Sequence, residues 1–98
     1  MVVLVVIDTL RADALGIYGA QPSPSPRIDV LALDAVVFDS AYAASPWTRP
    51  SVASIFTGLH PEDIWPEEDR PVGHDSPLPD GPATLAERFA AAGWATRA

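Results

Sequence analysis

The segment Val2-Val-Leu-Val-Val-Ile7 limits what this chain can fold into more than any other. It is apolar throughout and mostly β-branched, with no polar residue on alternate positions, so a strand built from it needs cover on both faces. That is the pattern of a central strand in a parallel sheet, and it predicts an α/β fold with helices above and below. The chain has 98 residues, room for one small domain. A central strand with at most two partners and three short helices cannot cover a doubly buried sheet, so the expectation is the N-terminal portion of a larger α/β domain.

The remaining punctuation supports a short list of elements. Residues 20 to 26, Ala-Gln-Pro-Ser-Pro-Ser-Pro, form a loop, because alternate prolines remove donors and fix φ. Ser25 followed by Pro26 suits an N-cap and first helical position, with Ile28, Leu31 and Ala32 on one face of a helix ending near Leu33 or Asp34. Val36 to Tyr42 reads as a second strand. Thr48 to Gly58 reads as a helix with Thr48 as N-cap, Pro50 in the first turn, Val52, Ile55 and Phe56 on one face, and Gly58 past its end. Residues 60 to 82 form an acidic, proline-rich connector predicted to run over the surface. Thr84-Leu-Ala-Glu87 is a capping-box pattern, Leu85, Phe89 and Ala92 make an apolar stripe, and Gly93 with Trp94 behind it marks a helix stop. Ala95 to Ala98 then stands where a βαβ unit would begin its next strand.

Charge narrows the partners. The net charge is −7, from 13 acidic and 6 basic residues, and all the basic residues are arginine. Seven acids against Arg70 alone fall in the connector, so −6 of the −7 sits there. No polybasic patch remains to grip a phosphate backbone or an anionic bilayer, which argues against nucleic acid and membrane surfaces as partners. The apolar run Val2 to Ile7 is far shorter than the roughly 20 residues that span a bilayer, so no membrane segment is predicted. With no cysteine, the chain has no disulfide, no zinc–thiolate site and no cysteine nucleophile.

Two oxygen-bearing residues stand at positions that favour chemistry. Asp8, followed by Thr9, closes the first strand at its carboxyl end, where open α/β sheets place their ligand sites; the alternative is an Asx residue that caps its own turn. Thr48 opens a helix, where unpaired N–H groups favour an anion or oxyanion, and its hydroxyl is a candidate nucleophile; the alternative is an ordinary threonine cap. A strand-end carboxylate and a helix-end hydroxyl can serve one hard cation, which would lower the hydroxyl's pKa and neutralise a sulfate or phosphate oxygen. Two ligands are too few for a complete metal site, and the expected partner for the rest is the remainder of the catalytic domain.

Taken together, the segments resemble the start of the sulfatase family. The resemblance is carried by Val2 to Ile7 with Asp8-Thr-Leu-Arg-Ala-Asp13-Ala-Leu-Gly16-Ile-Tyr-Gly19, then Ser25-Pro-Arg-Ile-Asp29 and Val37-Phe-Asp-Ser-Ala-Tyr42. It continues through Ser45-Pro-Trp-Thr-Arg-Pro-Ser-Val-Ala-Ser-Ile-Phe-Thr-Gly58 and Thr84-Leu-Ala-Glu87. Order and spacing match over almost the whole chain. The resemblance implies an alkaline-phosphatase-like three-layer α/β fold with a mostly parallel sheet. It also implies hydrolysis of small-molecule sulfate esters at a divalent metal, usually calcium. Asp8 matches the family's first metal-binding aspartate, while Thr9 stands where a second aspartate is common.

The family nucleophile lies in Cys/Ser-x-Pro-x-Arg ahead of Leu-Thr-Gly, and the matching stretch is Thr48-Arg49-Pro50-Ser51-Val52, with Thr57-Gly58 at its end. Thr48 therefore takes the nucleophile and metal position, and Val52 replaces the motif's arginine. Oxidising threonine would give a ketone rather than the aldehyde of formylglycine, so direct attack by the Thr48 alkoxide is the available chemistry. Superfamily members similar to phosphodiesterases, phosphonate hydrolases and phosphoethanolamine transferases use a threonine nucleophile. A phosphate ester substrate with Zn²⁺ or Mn²⁺ is thus the rival reading, and a non-catalytic truncated member a third. Arg49 is a candidate for the charge absent at position 52, although one turn of helix predicts a different direction for it. His60 and His74 read as solvated loop residues, and Trp47 and Trp65 as either pocket walls or packing.

Overall fold

The computed structural model describes residues 1–66 and 77–97. These form two compact units, Met1–Tyr42 and Ala43–Ala98.

In the first unit the expected strand is not formed. Val2 to Ile7 carries no regular secondary structure, and its side chains are between 45% and 74% exposed. Among the described residues no strand appears, at Val36 to Tyr42 either. The physical reason is that a strand takes its stability from ladder partners and from layers on its faces, and this segment meets neither among the described residues. What does form is local. Two single 3₁₀ turns, Ala12–Ala14 and Gly16–Tyr18, follow Asp8. The second ends on Gly19 at φ 103°, a left-handed conformation that a side chain would resist. The first α-helix, α1 (Pro26–Ala32), starts on Pro26 with Ser25 at its cap, as the sequence predicts, and it packs against Gly16–Tyr18. The apolar face predicted for α1 is only partly covered, since Ile28 is half-buried while Leu31 is exposed.

The second unit is built around α2 (Thr48–Thr57). Its end is the one the sequence predicts: Gly58 adopts φ 73° and its N–H reaches the Ser54 carbonyl at 2.8 Å. Its start is one residue earlier than predicted. Trp47, in extended conformation, is the cap, and Thr48 is the first helical residue. The correction follows from the backbone, because the Ser51 N–H already bonds to the Trp47 carbonyl. Thr57 closes the last turn from within the core, donating its hydroxyl to the Ala53 carbonyl at 2.8 Å and accepting the Leu59 N–H at 3.3 Å.

A single turn of helix, α3 (Pro61–Ile64), and a second helix, α4 (Leu85–Ala91), both pack against α2. The stretch predicted to run over the surface therefore begins by contributing to the interior, as Ile64 and Trp65 are 3% and 4% exposed. The acids Glu62 and Asp63 point the α3 turn outward while the apolar pair behind them turns in. The capping box of α4 forms as predicted: the Glu87 N–H reaches Thr84 Oγ1 at 3.3 Å and the Thr84 N–H reaches Glu87 Oε2 at 2.7 Å. Gly93 turns the chain at φ 84°, and Trp94 folds back edge-on to Phe89 with ring centroids 5.5 Å apart. No helix of the described residues is long and apolar enough to cross a membrane.

Candidate active site

Asp8 belongs to the first unit and Thr48 to the second. Asp8 sits on an exposed turn immediately after the apolar run, and its Oδ1 accepts the Thr9 N–H at 3.0 Å. Thr9 has φ 56°, a left-handed conformation uncommon for a β-branched residue, which bends the chain sharply away from the Val2–Ile7 direction. The Asp8 bond goes to the next residue's N–H, not to the N–H two residues on that closes an Asx turn. Beyond this turn Arg11 and Asp13 form a two-pronged ion pair, with Arg11 Nε to Asp13 Oδ1 at 2.9 Å and Nη2 to Oδ2 at 2.6 Å. The guanidinium lowers the Asp13 pKa through this hydrogen bonding, and Asp13 raises that of Arg11.

Thr48 lines a cleft of about 590 Å³ in the second unit. The walls are mostly apolar, contributed by Trp47, Val52, Ala53, Phe56, Trp65, Pro77 and Leu78, with Thr48, Arg49 and Thr84 as the polar members. Its size lies in the range of small-molecule pockets. Trp47 and Trp65, read as pocket walls or packing, each line the cleft, and Trp65 alone of the two is also a core residue. Arg49 and Val52 line the same cleft. The different direction expected of Arg49 does not hold, because residues three apart on a helix share a face. A cation next to Thr48 therefore stands on the helix face where the family motif has its arginine.

His60 lies on the surface with Nδ1 3.7 Å from Glu62 Oε2, an exposed pair that is ionic only when the imidazole is protonated. His74 lies outside the described residues. Val52, Phe56 and Leu78 as cleft walls were not foreseen in the sequence as functional. The signal was available for the first two, as they occupy the face of α2 that carries Arg49. Asp29 was also passed over, although an acid one turn into a helix that follows two serines has donors within reach.

The metal-binding expectation can be weighed on the donor set. A carboxylate and a hydroxyl are hard oxygen donors, the class that calcium and magnesium take, so Asp8 and Thr48 each fit such an ion in kind. Among the described residues no three of His, Cys, Asp and Glu come together as a metal-binding group, so the fit is that of a partial shell.

The model of the Sulfatase family matches residues 1–98. The chain is 38% identical over 58 residues to an arylsulfatase of Clostridium perfringens, covering 59% of this chain and 12% of that protein. It is 32% identical over 98 residues to an N-acetylgalactosamine-6-O-sulfatase of Bacteroides thetaiotaomicron, covering 97% of this chain and 19% of the relative. It is 39% identical over 61 residues to the iduronate 2-sulfatase of Homo sapiens, covering 62% of this chain and 11% of that enzyme. The chain thus spans between about a tenth and a fifth of the length of these relatives. No solved structure matches it at a significant level.

Proposed function

Because the chain belongs to the sulfatase family, we propose that it forms part of a hydrolase of sulfate esters in which Asp8 is a ligand of a divalent metal, calcium, and Thr48 occupies the nucleophile position. One observation supports the reading most: the residue that matches the family nucleophile in the motif is the first residue of a helix and lines a pocket-sized cleft. The α/β fold with a mostly parallel sheet belongs to the same proposal. In it Val2 to Ile7 becomes a central strand once its partners are supplied.

The chain's own residues would divide the work as follows. Asp8 and Thr48 each offer an oxygen to the metal, which when bound supplies Lewis-acid polarisation of the ester oxygens. Thr48 Oγ1 forms a bond to sulfur while the bond from sulfur to the ester oxygen breaks, and the hydroxyl proton leaves with the alcohol. Water then attacks sulfur, releasing sulfate and restoring the Thr48 hydroxyl. The helix N-terminus places amide dipoles toward the charge that develops on the sulfuryl oxygens, and Arg49 adds a cation on the cleft wall. The apolar walls exclude water from the leaving group.

Thr48 itself favours a second reading. A threonine cannot mature to formylglycine, and Val52 leaves the motif's arginine unfilled, so a threonine-nucleophile phosphodiesterase, phosphonate hydrolase or transferase acting with Zn²⁺ or Mn²⁺ suits the same residues. Parallel assays on an aryl sulfate and an aryl phosphodiester, each with Ca²⁺, Zn²⁺ and Mn²⁺, separate the two. The primary reading expects the sulfate to be turned over faster with Ca²⁺. A preference for the phosphodiester would replace it with the second.

A further inference from the structure

The loop that leaves Asp8 is tied to α1 by a cluster of side chains that the reaction above does not use. Asp29 is half-buried, and its Oδ1 accepts the Ile17 N–H at 3.0 Å and the Ser25 hydroxyl at 3.2 Å, while Oδ2 accepts the Ser23 hydroxyl. Ser25 Oγ in turn accepts the Gly16 N–H at 3.0 Å, and Ser23 Oγ accepts the Ser25 N–H at 3.1 Å. Two consecutive amides of the 3₁₀ turn Gly16–Tyr18 thus end on α1 and its cap, through a carboxylate whose oxygens take three donors. A network satisfied in this way fixes one geometry and penalises others. The approach is close enough that a Cβ on Gly16 would overlap Asp29 Oδ2 and Ser23 Oγ and lie 2.6 Å from Ser23 Cβ.

From this anchor local bonds run back as far as Arg11, three residues after Asp8. The Leu15 N–H reaches the Ala12 carbonyl at 3.0 Å, the Ala14 N–H reaches the Arg11 carbonyl at 3.1 Å, and Arg11 pairs with Asp13. The Ala12–Ala14 turn packs on Gly16–Tyr18, which packs on α1. The far side of the turn is held as well, since Tyr18 donates its hydroxyl to the Phe38 carbonyl at 2.8 Å.

We propose that Asp29 is a positioning residue for Asp8: by accepting the Ile17 amide and ordering Ser23 and Ser25, it fixes the loop whose first residue is the metal-ligating carboxylate. The proposal rests on the assignment of Asp8 to the metal. It is tested on the full protein with calcium as the probe, by calorimetric titration of wild type, Asp29→Ala, Asp29→Asn and Asp8→Asn, alongside amide hydrogen exchange and melting temperature. Asp29→Ala should speed exchange at Gly16 and Ile17 and weaken calcium binding about 10-fold, the scale of a lost outer-shell partner. Asp29→Asn, which keeps one acceptor oxygen, should fall between that variant and wild type, and it carries the test if the alanine variant does not fold. Faster exchange at Gly16 and Ile17 with calcium affinity unchanged, while Asp8→Asn loses it, would overturn the positioning role. Calcium affinity that is absent in wild type or unchanged in Asp8→Asn would overturn the assignment of Asp8 instead.

Discussion

At the scale of single residues, Gly16, Asp8 and Thr48 show three ways a position is constrained. Gly16 is held by space rather than by its backbone angle: the carboxylate and hydroxyl that bind its neighbourhood occupy the volume a side chain needs. Gly16→Ala is therefore expected to destabilise the first unit by about 1–3 kcal/mol, the usual cost of overpacking, as measured by chemical denaturation. Asp8 reads in the sequence as a strand-end carboxylate because the apolar run before it is so regular, yet among the described residues that run forms no strand. Its Oδ1 takes the N–H of the next residue, Thr9, rather than the N–H two residues on that closes an Asx turn. Thr48 was legible only through its neighbours Pro50, Thr57 and Gly58. The cap itself moved to Trp47, a residue with no capping propensity, because the extended backbone there and not the side chain begins the helix.

At the scale of elements, the helices with local signals formed where those signals stand. Pro26, Gly58, Gly93 and the Thr84–Glu87 pair each fix an end through bonds within a few residues, so no distant partner is needed. The capping box gives α4 a pH dependence. Hydrogen bonds from the Thr84 amide and hydroxyl lower the Glu87 pKa below its ordinary value, so the ionised form contributes stability that is complete above the unfolded value near 4.5. That contribution is lost as the pH falls through the lower folded value. Raising the pH from 5 to 8 should leave the Thr84 and Glu87 amide resonances unmoved, whereas acidification below pH 4.5 should shift them and fray the first turn of α4. An unchanged spectrum at pH 2 to 3 would contradict the box. The turn α3 was not legible, because Glu62 and Asp63 mask a four-residue helix whose payload is the apolar pair that follows. With Ile64 and Trp65 as the buried hydrophobic residues of the second unit, Ile64→Ala should lower its stability by about 2–5 kcal/mol in thermal or denaturant unfolding.

At the scale of the whole molecule, what the sequence promised and the described residues lack is the sheet. Val2 to Ile7 reads as a doubly covered strand because its composition anticipates layers that are long-range in sequence, and strand pairing cannot be made from local signals alone. The relatives are five to nine times longer than the stretch aligned to this chain, and in the proposed fold a central strand would take its partners and cover from such a domain. The charge of −7 takes its place in the same picture, since most of it belongs to residues 60 to 82 rather than to the cleft, whose polar members are two threonines and an arginine. In the proposed function an anionic ester would be met by a hydroxyl, a cation and a helix N-terminus. The most direct test of the account is the rate of aryl sulfate hydrolysis, at saturating calcium, by the protein and its Thr48→Ala variant, with melting temperatures matched to show that both are folded. The account predicts that the variant loses activity by about 1,000-fold or more, the scale for removing a nucleophile. A Thr48→Ala protein that hydrolyses the sulfate at the wild-type rate would contradict it.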